Sequence, residues 1–169
     1  MTNSTGFPPI AKPDAMILIL GSMPGQKSLE ENQYYAHPQN SFWPIIFKLL
    51  NADSNLSYKE REELLFNNRI ALWDVLKSCY RAGSLDSDID HSSIETNDFN
   101  NFFSKHAHIK NVFFNGTKAE QIFNKNVLKN LGQQYKNLKY FRLPSTSPAH
   151  AAMSAEQKLL KWGVLKNID

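Results

Sequence analysis

The chain is poor in the features that define several large protein classes. It contains one cysteine, Cys79, which excludes an intrachain disulfide and argues against a cysteine-built metal site. No apolar run approaches the roughly 20 residues that span a bilayer. The first residues are rich in Ser, Thr and Pro and lack a basic-then-apolar leader, so a soluble, intracellular protein is expected. The net charge is only +3, which permits a polyanionic partner without demanding one. Gly21 to Gly25 is too short for a Walker sequence and carries no lysine-serine pair, which argues against nucleotide-triphosphate chemistry. Histidines and carboxylates do not recur at metal-ligand spacings, so no metal site is expected. Ser147 and His150 are three residues apart with no nucleophile-elbow sequence around them, which makes a serine hydrolase the weakest of the enzymatic readings.

What is present is a chain of 169 residues with an ordinary apolar fraction, enough for one domain, 1–169, with a real core. Its most informative stretch runs from Met16 to Trp43. An apolar run, Met16 to Leu20, suits a strand buried on both faces. Gly21-Ser22-Met23-Pro24-Gly25 then lets a ligand approach the backbone. A long polar and aromatic loop follows, with Tyr34, Tyr35, His37, Gln39 and Asn40. An aromatic pair beside amide and imidazole groups suits the holding of a flat polar ring.

Along the rest of the chain, residues 1–14 read as a surface lead-in. Helices are expected over Ser41 to Leu50, Ser57 to Asn67, Asp98 to His106, Lys118 to Leu131 and Ala155 to about Leu165. Ser57 and Glu60 have capping-box spacing, and Thr117 and Ser154 stand as caps. Strands are expected at Ile70 to Leu76, Ile109 to Asn115 and Lys139 to Leu143. Lys77 to Asn97 reads as a long irregular connection. Four apolar strands alternating with helices predict an α/β fold with a mostly parallel sheet. Ligands of such sheets bind beyond the carboxyl ends of the strands. That rule gathers Gly21 to Asn40, Asp74, Asn115 and Ser145 to His150 in one place. Amides, hydroxyls and aromatic faces can orient a water and read a base edge, the requirement of an enzyme acting on a flipped nucleobase.

The segments GSMPGQKSLEENQYYAHPQNSFW (21–43), ALWDVL (71–76), GSLDSDI (83–89), FNGTKA (114–119) and LPSTSPAHA (143–151) resemble the uracil-DNA glycosylase superfamily. The nearest likeness is to its hypoxanthine-DNA glycosylase, or DNA-deoxyinosine glycosylase, branch. The resemblance implies a three-layer α/β/α sandwich with a four-stranded, mostly parallel sheet. It also implies cofactor-free hydrolysis of the bond between a damaged base and its deoxyribose, with DNA containing deaminated bases as the partner of a monomeric enzyme. Asn40 matches the amide of the HPxN motif, which aligns a water and stabilises charge on an oxocarbenium-like sugar. Tyr35 matches the aromatic on which the flipped base stacks, worth about 1–3 kcal/mol per base. Ser22, Met23, Asp74 and Asn115 complete the implied base-binding set, with the Asp74 carboxylate a candidate acceptor for the N1–H of hypoxanthine. Ser145, Ser147, Pro148, Ala149 and His150 form the implied DNA-contacting set, in which Ala149 and His150 stand where relatives wedge the duplex.

Two positions depart from the uracil-directed pattern. Met23 replaces a water-activating Asp or Asn, and Ser145 replaces a His or Asn. Both favour a monofunctional glycosylase for deaminated purines, chiefly hypoxanthine, in base-excision repair. A uracil or thymine-mismatch glycosylase and a non-catalytic lesion-binding module are the rivals. By spacing alone other roles stand beside these. Asn40 can cap the helix that follows, Asp74 and Asn115 can close turns, His37 can brace its loop, and Tyr34 can be a surface aromatic.

Overall fold

The computed structural model describes residues 2–167; Met1 and residues 168–169 lie outside the described residues. In chain order the elements are β1 (Thr2–Thr5), β2 (Ile17–Gly21), α1 (Gln26–Glu31), α2 (Phe42–Leu50), α3 (Tyr58–Asn67), β3 (Ile70–Asp74) and β4 (Leu76–Arg81). They continue with β5 (Glu95–Thr96), α4 (Phe99–Lys105), β6 (Asn111–Asn115), α5 (Thr117–Asn126), α6 (Gln133–Lys136), β7 (Lys139–Leu143) and α7 (Ala155–Trp162).

The central sheet has the order β3-β2-β6-β7, and every neighbouring pair is parallel. Strands β2, β3 and β6 are buried along nearly their whole length because helices cover both faces, whereas the edge strand β7, KYFRL, exposes Lys139 and Arg142. Leu18, Leu20, Ala71, Trp73, Val112 and Phe114 join one core cluster, with Phe99, Phe102 and Phe103 of α4 and Ile122 and Phe123 of α5. Ile17, Ile19, Ile70, Leu72 and Phe113 join the other, with Phe42, Ile45 and Ile46 of α2 and Trp162 of α7. The alternation of side chains along each strand thus divides one apolar run between two cores. The result is the expected α/β/α sandwich. The expected capping box is present at Ser57–Glu60, and the expected cap Ser154 forms a second one with Gln157.

Four expectations need correction. The lead-in lies at the surface in part but is tied into the fold rather than merely leading into it. Its Thr2–Thr5 strand pairs antiparallel with β4, and Ile10, 5% exposed, bridges to Leu72. The connection after Lys77 is not irregular throughout, because β4 pairs with both β1 and β5 in a second, antiparallel sheet. The loop between Gly25 and Tyr34 contains α1, which ends at Asn32 in the left-handed conformation that Asn tolerates. The cap of α5 is Gly116 rather than Thr117, and the helix stops at Asn126 before a single tight turn, Leu128–Asn130.

Candidate active site

The four parallel strands end together, and a cavity of about 510 Å³ opens beyond their carboxyl ends. Its walls include Ser22, Met23, Tyr35, Asn40, Asp74, Asn115, Ser145, Ser147, Pro148, Ala149 and His150. Every site residue expected from the sequence therefore faces one space. A second hollow, lined by Trp43, Phe47, Lys48 and Arg61, lies beside the first and shares Tyr35, His37 and Asn40 with it.

Gly21, the last residue of β2, pairs with Asp74, the last of β3. A side chain at Gly21 would drive its Cβ into Asp74 Oδ1 and to 2.9 Å from the Tyr35 hydroxyl. The bare glycine is what admits both oxygens to the strand end. The chain beyond is tied down by Val75 N–H to Gly21 O (2.8 Å) and Leu76 N–H to Ser22 O (3.0 Å). Ser22 does not face the cavity unengaged, because its hydroxyl donates to Asp86 Oδ1 at 2.5 Å. Met23 lines the cavity but is buried in the apolar cluster around β4.

Tyr35 holds a left-handed backbone, φ 54°, and its ring stacks on Phe42 at 4.1 Å and 25°. One ring face is thereby occupied and the ring is held flat. Burial, and next the nearby Asp74, push its phenol well above the ordinary range. Tyr34 is not a surface aromatic. It is 3% exposed, donates its hydroxyl hydrogen to Pro8 O (3.1 Å) and accepts the Trp43 indole N–H on its carbonyl (2.8 Å). His37 does brace its loop, with Nδ1 accepting the Gln39 N–H at 3.1 Å.

Asn40 does two things at once. Its Oδ1 accepts the Phe42 N–H at 3.0 Å, which is the capping arrangement, although the formal cap of α2 is Ser41. Its Nδ2 has no partner among the described residues and belongs to a side chain on the cavity wall.

Asn115 does not simply close a turn. Its Oδ1 accepts the Thr146 N–H and its Nδ2 donates to Thr146 Oγ1, both at 2.9 Å. The Thr146 carbonyl in turn accepts the Ser41 N–H (3.0 Å) and the Ser41 hydroxyl (3.2 Å). Thr146, 1% exposed, therefore joins the end of β6, the terminal loop and the start of α2. Within that loop Ser145 Oγ accepts the Ser147 N–H and Ser147 Oγ accepts the Ala149 N–H, both at 3.2 Å. These are the local turn bonds that serine favours. No hydrogen bond joins the Ser147 hydroxyl to the His150 ring among the described residues, so a serine–histidine nucleophile pair is not assembled.

Gly116 explains how the terminal loop comes so close. Its φ is 96°, and an added Cβ would sit 2.9 Å from Ser145 Cβ. Gly116→Ala is expected to lose about 1–3 kcal/mol of stability from backbone strain. Chemical denaturation checks this, and an unchanged midpoint would mean that the Ser145 loop shifts freely.

Two carboxyl groups meet at this site. Asp74 is 3% exposed, and burial, with the nearby Asp86 adding to it and Arg81 opposing, pushes its carboxyl up to about 8. Asp86 is also raised, chiefly by burial, while its bond from Ser22 works the other way. Arg81, 2% exposed, donates from Nη2 to Pro24 O.

Comparison with known proteins agrees with this geometry. The model of the uracil DNA glycosylase superfamily matches residues 8–167. The chain belongs to this superfamily. Among its relatives, hypoxanthine DNA glycosylase of Methanosarcina barkeri (strain Fusaro / DSM 804) is 37% identical over 134 residues, covering 79% of this chain and 82% of the relative. Hypoxanthine DNA glycosylase of Methanosarcina acetivorans is 34% identical over 154 residues, covering 90% and 92%. A solution NMR structure of a candidate uracil DNA glycosylase from Methanosarcina acetivorans superposes with a TM-score of 0.80 at 30% identity, covering 98% of both chains.

Three residues of this superfamily member's site were not singled out from sequence. Asp86 sits inside the GSLDSDI segment but gave no sign there of reaching Ser22, 64 positions away. Arg81 stands in a polar stretch of sequence, yet it is 2% exposed. Thr146 lies between two serines that drew more notice. Each is defined by a long-range contact that local pattern does not encode. Among the described residues no group of three or more His, Cys, Asp or Glu is placed to hold a metal, and no helix is long and apolar enough to cross a membrane.

Proposed function

We propose that this protein is a monofunctional DNA glycosylase that releases deaminated purines, chiefly hypoxanthine, from DNA and so opens base-excision repair. The observation that carries the proposal is the position of Asn40, an amide with an uncommitted N–H group on the wall of the cavity that Tyr35 and Asp74 also line. An amide cannot act as a strong base at neutral pH. Its N–H can donate to a water and hold it toward C1′, and the second lone pair of Oδ1 can accept from that water or face the sugar as it becomes cationic. The base, turned out of the duplex, would stack on the ring face of Tyr35 that Phe42 leaves open, while Ser145, Ser147, Pro148, Ala149 and His150 contact the DNA around the lesion. Family membership and two hypoxanthine DNA glycosylases at 34% and 37% identity support this reading. The thioether of Met23 cannot activate water as the Asp or Asn of uracil-directed relatives does, which counts against a uracil preference.

Single-turnover release of free base from duplexes containing deoxyinosine, deoxyuridine or deoxyxanthosine tests it. Hypoxanthine is expected to leave fastest. Uracil release without hypoxanthine release would move the protein to the uracil-directed part of the superfamily. Tight lesion binding with no base released would make it a damage-binding module.

A further inference from the structure

A buried carboxyl, a buried guanidinium and a second, half-buried carboxyl stand together beside the cavity, and the water-aligning role of Asn40 uses none of them. Asp86 is committed to the Ser22 hydroxyl and Arg81 to the Pro24 carbonyl. Asp74 differs. It lines the cavity, it is buried, and its Oδ2 has no hydrogen-bond partner among the described residues. A buried oxygen without a partner is expensive as an anion and is satisfied most simply by a group that a ligand brings.

We propose that Asp74 enters the reaction as a neutral acid and gives its carboxyl proton to an acceptor atom of the departing purine, a step that rests on the assignment of the protein as a glycosylase for deaminated purines. The C1′–N9 bond breaks and its electron pair passes into the purine ring. The ring takes the proton of Asp74 at N7 or O6 and leaves neutral. The water aligned by Asn40 forms the new bond to C1′ and sheds a proton to solvent, from which Asp74 regains its own. Asn40 cannot supply that proton, and a carboxylate that merely accepted the N1–H of the base would not help it leave.

The surroundings of Asp74 favour the acid form. Asp86 approaches from the Gly83–Ile89 loop, Arg81 from β4 and the Tyr35 hydroxyl from the loop before α2, while Lys118 of α5 acts on Asp86. His37 and His150 line the same cavity. Burial and the Asp86 charge outweigh Arg81, and the carboxyl keeps its proton up to about 8. A carboxylic acid held neutral near pH 7 by its site is a known catalytic device.

The test is single-turnover hypoxanthine release from a deoxyinosine duplex between about pH 5.5 and about pH 9.5, for the wild type, Asp74→Asn and Asp86→Asn. The wild-type rate should fall roughly tenfold per pH unit above about 8. Asp74→Asn, similar in shape but without a proton to give, should lose about 10²–10⁴-fold and show no such fall. Asp86→Asn removes the neighbouring charge and should shift the fall to lower pH. A duplex carrying 7-methyl-deoxyinosine, whose base is already cationic, should be cleaved by Asp74→Asn nearly as fast as by the wild type. A wild-type rate that stays flat to about pH 9.5, or wild-type activity in Asp74→Asn, would overturn the acid step and leave the glycosylase intact. No release of any base at any pH would remove both. Should Asp74→Asn not fold, isotope-edited infrared spectroscopy of the wild type decides the matter, because the absence of a protonated Asp74 carboxyl band near pH 7 would end the proposal.

Discussion

Asn40→Ala should lose about 10²–10³-fold in single-turnover base release, the loss that follows removal of one placed polar group from a charge-stabilising site. Duplex binding should change little, because the contacts assigned to DNA lie on the Ser145 to His150 loop. The complication is the second duty of Asn40, whose Oδ1 accepts the Phe42 N–H at the start of α2. Loss of that bond is worth about 1 kcal/mol of helix stability. Phe42 is fully buried and carries Tyr35 on its ring, so a frayed α2 could disturb the site indirectly. Asn40→Ser separates the two effects. Serine caps helices as well as asparagine does, but it has no amide and a shorter reach. If the amide acts on water, Asn40→Ser should regain the stability lost in Asn40→Ala and remain inactive. If Asn40→Ser restores both stability and turnover, Asn40 is a cap and the water is aligned elsewhere.

What was legible in the sequence follows from where the polar groups stand. Asp74 ends the apolar run IALW and Asn115 ends NVFF, so the same apolar pattern that marks a buried parallel strand also marks its functional tip. The loop Ser145 to His150 was legible for the same reason, as the exit of β7. The small antiparallel sheet was not. β1 is four polar residues, and its pairing with β4 joins segments more than 70 positions apart, with no apolar alternation to announce it. Helix α1 is only six residues long and is bounded by Gly25 and a left-handed Asn32, so it reads as loop. The roles of single residues were the least legible. Asn115 presents its amide to Thr146, and Ser22 gives its hydroxyl to Asp86. In both cases the partner lies in another motif, and only the fold brings the two together.

Asp74→Asn should be more stable than the wild type, by a margin that grows from about pH 4 to about pH 8 and is constant above it. In the unfolded chain Asp74 loses its proton near the ordinary carboxylate value of 3.8, whereas in the folded protein it holds it to about 8. Below about pH 4 both states are neutral and ionisation adds nothing to the stability difference. Between those two values the unfolded chain binds fewer protons, so each pH unit removes roughly 1.4 kcal/mol from the wild type. Above about 8 the full penalty stands. Asparagine at this position has nothing to ionise, so the gap between variant and wild type should widen by several kcal/mol from about pH 5 to about pH 8. Asp86 titrates in both proteins and largely cancels in the comparison. Urea denaturation at three pH values across this range measures the gap directly. A gap that stays constant with pH would mean that Arg81 already holds the Asp74 carboxylate as an ion, and the acid step would fall with it. A widening gap, joined to lost turnover in the same variant, would identify a site where stability is given up so that a carboxyl group can keep its proton.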